Sequence, residues 1–130
     1  MAGYVTNIER DTLGNRDYRR VLFTGPNTQL VLMTLQPGEE IGSERHGGHD
    51  QFIRVEAGTG YVELDGKRHG LADGSAVVIP SGTQHNVVNT SRSEALRLYT
   101  LYSPPEHPDG TVQHTKADEA AAKAHVGGPG

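Results

Sequence analysis

The sequence predicts an all-β fold, a small closed barrel or sandwich with a short helix at its C-terminal end. Three features carry that prediction. Glycine recurs at Gly38, Gly42, Gly58, Gly60, Gly66, Gly70, Gly74 and Gly82, with short apolar or alternating runs between, the rhythm of many short strands joined by turns. Asp65-Gly66, in "LDGKRHGL", suits a tight hairpin turn whose backbone requires positive φ. Near the end, "TKADEAAAKAH" is Ala-rich and favours a helix.

Taken in chain order, the patterning predicts strands at 20–24, 29–35, 41–46, 51–56, 60–65, 76–79, 84–89 and 95–102. So many short strands in one chain close on themselves, which also removes most exposed sheet edges. The segment "TQLVLMTL", residues 28–35, is apolar on both faces and so belongs inside the assembly or at a subunit interface; either placement points to a homodimer. Between 51 and 55 the alternation sends Gln51, Ile53 and Val55 inward and Phe52, Arg54 and Glu56 outward. "EHPDG" then interrupts the strand pattern, and Thr115 with Asp118 forms a capping box ahead of the helix. Residues 1–114 are expected to form the barrel and 115–130 a short helix and tail, with "GGPG" at 127–130 disordered for want of anything to pack against.

Composition narrows the chemistry. A chain of 130 residues builds one core, and having no cysteine it has no disulfide, thiolate-held metal or thiol nucleophile. Its formal charge is -4 with scattered Lys and Arg, which argues against a nucleic-acid surface and for a small-molecule partner. The first residues carry no basic start followed by an apolar run, and no segment reaches the ~20 apolar residues of a membrane span, so a cytoplasmic protein is expected.

"GSERHGGHDQFIRVEAG" concentrates the polar chemistry. Glu44 and His46 are two apart and share a strand face, and Gly47-Gly48 can reverse the chain to bring Gln51 in from the neighbouring strand. Far along the chain, in "GSAVVIPSGTQHNVVN", Pro80 and Gly82 shape a turn from which His85 opens a strand, its face shared by Val87 and Asn89. Two neutral imidazoles and a carboxylate suit a divalent first-row metal such as Fe, Mn, Ni or Zn, and the Gln51 carbonyl would add a weak fourth bond. Two readings stand for each of the weaker donors: Glu44 is a ligand or a carboxylate that holds an imidazole, and Gln51 is a ligand or a partner of a metal-bound water. His49 and Asp50 read as solvated turn residues, Asp50 alternatively orienting His46.

The spacing Gly38-x5-Glu44-x-His46-x4-Gln51-x6-Gly58 resembles the first cupin motif, and Gly74-x5-Pro80-x-Gly82-x2-His85-x3-Asn89 is similar throughout to the second. The resemblance, carried by residues 38–58 and 74–89, is to small single-domain bacterial cupins of the RmlC-like superfamily. It implies a double-stranded β-helix, or jelly roll, with one metal held by two His and a Glu from the first motif and a His from the second. Here Glu44 stands where the first His is usual and Gln51 where Glu is usual, while His46 and His85 keep their places. The expected cofactor is one divalent ion of Fe, Mn, Ni, Cu or Zn.

Tyr102 shares the inward face of Leu96, Leu98 and Thr100 and is the candidate substrate contact, whereas Tyr99 goes outward with Arg97. His69, His107, His114 and His125 fall in turns or the tail and read as solvated. Three functional readings follow: a metal-dependent oxygenase or isomerase acting on a small polar molecule, a non-catalytic ligand-binding or metal-sensing barrel, and a metal-free epimerase or isomerase using His and Tyr as base and acid. Fold alone does not choose among them.

Overall fold

The structure is a computed structural model and describes residues 2–126. The chain runs α1 (Ile8–Gly14), β1 (Arg19–Thr24), β2 (Gln29–Leu35), β3 (Glu44–Arg45), β4 (Asp50–Ala57), β5 (Gly60–Leu64), β6 (Lys67–Leu71), β7 (Ala76–Ile79), β8 (Gln84–Asn89), β9 (Leu96–Ser103), β10 (Val112–Gln113) and α2 (Lys116–Val126). Two antiparallel sheets face each other, one ordered β10-β1-β2-β9-β4-β7 and the other β3-β8-β5-β6. This is the closed all-β fold that the strand rhythm predicts and the jelly roll that the cupin resemblance implies. The sheets bury Val31, Met33, Leu35, Ile53, Val55, Val62, Val87, Leu96 and Leu98 between them, each at 1% exposure or less. Burial alternates along β4, β8 and β9 with period two, as inward and outward side chains require. The Asp65-Gly66 turn has φ of 47° and 85° at its two residues and joins β5 to β6. Among the described residues no helix is long and apolar enough to cross a membrane.

Three elements lie outside the sequence expectation, and each lacks the signal used to find the others. β6 has four exposed residues, and only its Leu71 is buried; pairing with β5 through the hairpin makes it a strand. β10 is two residues long and is fixed by its register with Arg19 and Arg20. In α1, a seven-residue helix capped by the Asn7 side chain on the Arg10 amide, the buried residue is Thr12, whose hydroxyl donates to the Ile8 carbonyl. A helix that buries a threonine shows no apolar stripe. Strand 41–46 also shortens to Glu44–Arg45, with a single bridge from Glu40 to Val88 ahead of it.

The doubly apolar strand has an explanation inside the chain. β2 lies between β1 and β9, and its outer face at Thr34 is covered by Asn15, just after α1: Asn15 Nδ2 donates to Thr34 Oγ1 at 3.0 Å and Thr34 Oγ1 to the Asn15 carbonyl at 2.9 Å. Its burial therefore needs no second subunit. The expected reversal at Gly47-Gly48 takes a different form as well: β3 pairs with β8 and β4 with β9 and β7, so the turn crosses from one sheet to the facing one instead of closing a hairpin. The stretch 127–130 lies outside the described residues.

At Gly60, β5 lies so close to β8 that a Cβ would sit 2.1 Å from the Val88 carbonyl oxygen. Gly60→Ala is expected to destabilise the fold by about 2–3 kcal/mol, since backbone must move to admit it. Gly70→Ala, on the edge strand with nothing within 4 Å of its Cβ position, should fall within about 0.5 kcal/mol of the parent. Urea unfolding of the two variants measures the difference.

Candidate metal centre

The inner face of the larger sheet changes from dry to polar at one end. Register places Ile79, Gln51, Tyr102 and Gln29 side by side across β7, β4, β9 and β2. One row below run Val77, Ile53, Thr100 and Val31, and below that Val55, Leu98 and Met33. On the facing sheet Glu44 and His85 are direct cross-strand partners on β3 and β8, with Leu64 of β5 beside His85. Opposed residues on neighbouring strands put their side chains on the same face, so Glu44 and His85 look into the barrel together.

His46 is the hub of this mouth. Its Nε2 lies 2.9 Å from Glu44 Oε2, its ring centroid is 5.2 Å from that of His85 and 6.3 Å from that of Tyr102, and its carbonyl accepts from the Gly82 amide at 2.7 Å. Of the residues singled out from sequence, Glu44, His85 and Tyr102 thus stand around His46, and Gln51 lies beside Tyr102 on the neighbouring strand. Gln51 is 5% exposed; its Nε2 donates to Thr100 Oγ1 at 3.0 Å and its Oε1 is buried with no hydrogen-bond partner. Tyr102 is 3% exposed, and burial above all pushes its phenol well above the usual tyrosine range, so the hydroxyl keeps its proton.

Three further side chains belong to the mouth: His49 and His107, which the sequence reading left in solvent, and Glu106, which it did not single out. His49 has 19% of its side chain exposed and contacts Glu106, whose carboxylate also stands 3.8 Å from His46 Nδ1. The ligand atoms of His46, His49 and Glu106 lie within 4.8 Å of one another. The ring of His107 is half-buried and packs edge-on against Tyr102 at 5.1 Å between centroids. Asp50 does not orient His46; its Oδ1 accepts from the Ser81 amide at 2.9 Å and ties the first motif's turn to the second's. His69, placed in a turn from sequence, is an exposed residue of strand β6, and His125 lies within α2; His114 is indeed exposed, paired with Asp17.

Glu106 and His107 reach the mouth because Gln29 holds their backbone. Gln29 is fully buried, its Oε1 accepts from the amides of Glu106 at 3.2 Å and His107 at 3.0 Å, and its Nε2 donates to the His107 carbonyl at 2.7 Å and to Thr24 Oγ1 at 2.9 Å. One amide side chain stands in for a missing strand neighbour. A glutamine in the apolar run of β2 was the available signal.

The donor set fits a divalent cation. The Nδ1 of His85 is 2.9 Å from the Thr83 carbonyl and that of His49 is 3.0 Å from the Pro104 carbonyl. A carbonyl only accepts, so both rings carry a proton on Nδ1 and leave Nε2 as the lone-pair nitrogen, which in His49 meets the Glu106 carboxylate. Such an Nε2 beside the Glu106 carboxylate, as at His49, requires a cation between the two acceptors, a proton or a metal ion. The buried, unpartnered Gln51 oxygen adds a neutral donor to the same mouth.

A jelly roll whose mouth gathers imidazoles and carboxylates from two glycine-spaced motifs defines a class of small β-barrel with a histidine-lined mouth. Residues 31–102 match the family described as Cupin domain, and the chain belongs to the cupin family. It is 43% identical over 128 residues to an uncharacterized protein of Acanthamoeba polyphaga mimivirus, covering 95% of this chain and 79% of that one. With the uncharacterized protein YrkC of Bacillus subtilis it shares 46% identity over 126 residues, 92% of this chain and 67% of the relative. A crystal structure of a Bacillus halodurans protein superposes with a TM-score of 0.89 at 45% identity, covering 92% of this chain and 95% of that chain.

Gln29→Leu is expected to cost about 2–3 kcal/mol by leaving buried backbone groups unpaired, and to release the segment that carries Glu106. Hydrogen exchange checks this: the amides of Glu106 and His107 should exchange faster by more than the global loss of stability accounts for.

Proposed function

We propose that this cupin binds one divalent metal ion at His46, His85 and Glu44, with the Gln51 oxygen toward a fourth position, and that the ion holds a small polar molecule inside the barrel. The observation that carries the reading is the tautomer of His85, whose Nδ1 is committed to the Thr83 carbonyl, leaving Nε2 for the ion. The bound ion would act as a Lewis acid on an oxygen of the molecule. Tyr102, protonated by virtue of its burial, donates a hydrogen bond to that molecule and is not a base at neutral pH.

A second set of ligands is supported by the mutual approach of His46, His49 and Glu106. Both sets share His46 and differ in their second imidazole. Elemental mass spectrometry after reconstitution is expected to find about one equivalent of metal in the native chain, none in His46→Ala, and a loss in His85→Ala that exceeds the loss in His49→Ala. The reverse order for the last two variants would move the ion to the His49 side, and unchanged content in all three would reject the centre. Gln51→Glu adds a charge to a hard ligand and should tighten the ion about tenfold or more.

The homodimer also belongs here. Leu30, Leu101, Phe52 and Val78 form an outward apolar row in register across β2, β9, β4 and β7, and Val78 is 66% exposed. Such a row is a surface a second copy can cover. Val78→Lys should shift the mass measured by light scattering from dimer toward monomer; an unchanged mass would sink this interface.

A further inference from the structure

A second cavity lies on the outer face of the larger sheet, the opposite face from Gln51 and Tyr102. β1 alternates so that Arg19 and Val21 face inward and Arg20 outward. Around Arg20, the end of α1, the loop after it and the outer side of β1 and β2 enclose about 500 Å³. The floor is apolar: Leu22 is half-buried, and Leu32, directly opposite Arg20 on β2, is 2% exposed. The rim is basic. Lys and Arg are scattered over the chain as a whole, but "RDTLGNRDYRR", residues 10–20, holds four of the twelve, and Arg10, Arg16 and Arg20 all line this cavity. An apolar floor with a few charged groups, in a volume within the roughly 300–1,000 Å³ of small-molecule sites, is the ordinary make-up of a ligand pocket.

The charges at this rim do not cancel. Asp11 stands 3.3 Å from Arg10 and accepts from the Thr6 hydroxyl, and Asp17 stands 3.4 Å from Arg20 and 2.7 Å from His114 Nδ1. Both carboxylates are thus engaged, whereas Arg16 is exposed and has no hydrogen bond or ion pair with any described residue. Each of the two Arg–Asp pairs reaches a single carboxylate oxygen at 3.3 Å or more, from an arginine 72% or 52% exposed, so each guanidinium keeps donors for another oxyanion. Three guanidiniums against two carboxylates leave the rim positive on a chain of formal charge -4. The wall that carries Arg16 is also fixed. Asn15 is 6% exposed; its Nδ2 donates to the Asp17 carbonyl at 2.8 Å and to Thr34 Oγ1 at 3.0 Å, and its Oδ1 accepts from the Asp17 amide at 3.2 Å. Its carbonyl accepts from Thr34 Oγ1 and from Arg97 of β9. A loop held on both sides of Arg16 has little left to order when a ligand arrives.

We propose that this cavity is a second ligand site, separate from the metal centre, and that it takes a phosphate monoester of a small apolar group. Arg16 meets the phosphate with a planar fork that no carboxylate of the chain occupies, and Arg10 and Arg20 add positive field and further donors. A dianionic phosphate answers the excess charge of the rim better than a single carboxylate does. The ester's carbon group lies over Leu22 and Leu32, where burying it is favourable and where a bare phosphate gains nothing.

The test is calorimetric titration of the full-length chain, as purified and after treatment with EDTA, with phenyl phosphate, inorganic phosphate and phenol. Phenyl phosphate is expected to bind saturably at one site per chain in both preparations, inorganic phosphate more weakly, and phenol not at all. Arg16→Gln should weaken phenyl phosphate about tenfold, the loss of one charge-assisted contact, and Arg16→Lys, which keeps the charge without the fork, should fall between the two. Because Arg16 is exposed and unpaired, both variants should melt with the native chain, so a change in affinity is not a change in folding. His46→Ala should bind phenyl phosphate as the native chain does. No binding of phenyl phosphate, or equal affinity in the native chain and Arg16→Gln, would overturn the proposal. Loss of binding in His46→Ala or after EDTA would move the phosphate to the metal centre and overturn it as well. Inorganic phosphate binding as tightly as phenyl phosphate would remove the apolar floor from recognition and with it the monoester.

Discussion

Everything in this protein depends on one constraint: the two sheets enclose a single interior, and every inward side chain must either join a dry core or find a polar partner. The strands resolve it by position along their length. Rows containing Val31, Ile53 and Val77, or Met33, Leu98 and Val55, are buried and mainly apolar, with Thr100 the polar member of the first and Arg19 beside Met33 at the edge of the second. At one end the same alternation continues with Gln29, Gln51 and Tyr102, and no change of strand or turn intervenes. The site is thus the end of the core, built on the same rigid strands. Functional groups mounted this way inherit the precision of the sheet, whereas those carried by the loop after β9 need a separate tether, which Gln29 supplies.

Much of this was legible from residue spacing. A continuous apolar run located β2 and period-two alternation β4, β7, β8 and β9, and the alternation assigned Ile53, Val55, Leu98 and Tyr102 to the interior, because it reports which face is buried. The glycine and proline pattern led to His46 and His85. What escaped was structure fixed by contacts distant in sequence. β6 and β10 are strands only because a partner strand offers hydrogen bonds, and Glu106 is at the mouth only because Gln29, 77 positions earlier, binds its amide. His49 was misread for a related reason: its two-residue distance from Gln51 says nothing of the Pro104 carbonyl that orients its ring. On the outer face of β2, Thr34 is covered by Asn15, just after α1, while Leu30 at the other end joins the outward apolar row.

Two charged clusters of the interior differ in sign. At the mouth, Glu44 and Glu106 flank His46, so the local field draws a cation and repels a free anion. Toward β10, Arg19 presents positive charge, compensated by Glu119. A divalent ion bound at the mouth would offset those two carboxylates without touching the Arg19 pair. Glu119 has a separate physical reason to be where it is: a guanidinium buried without a carboxylate would be strongly destabilising, so the chain carries its own.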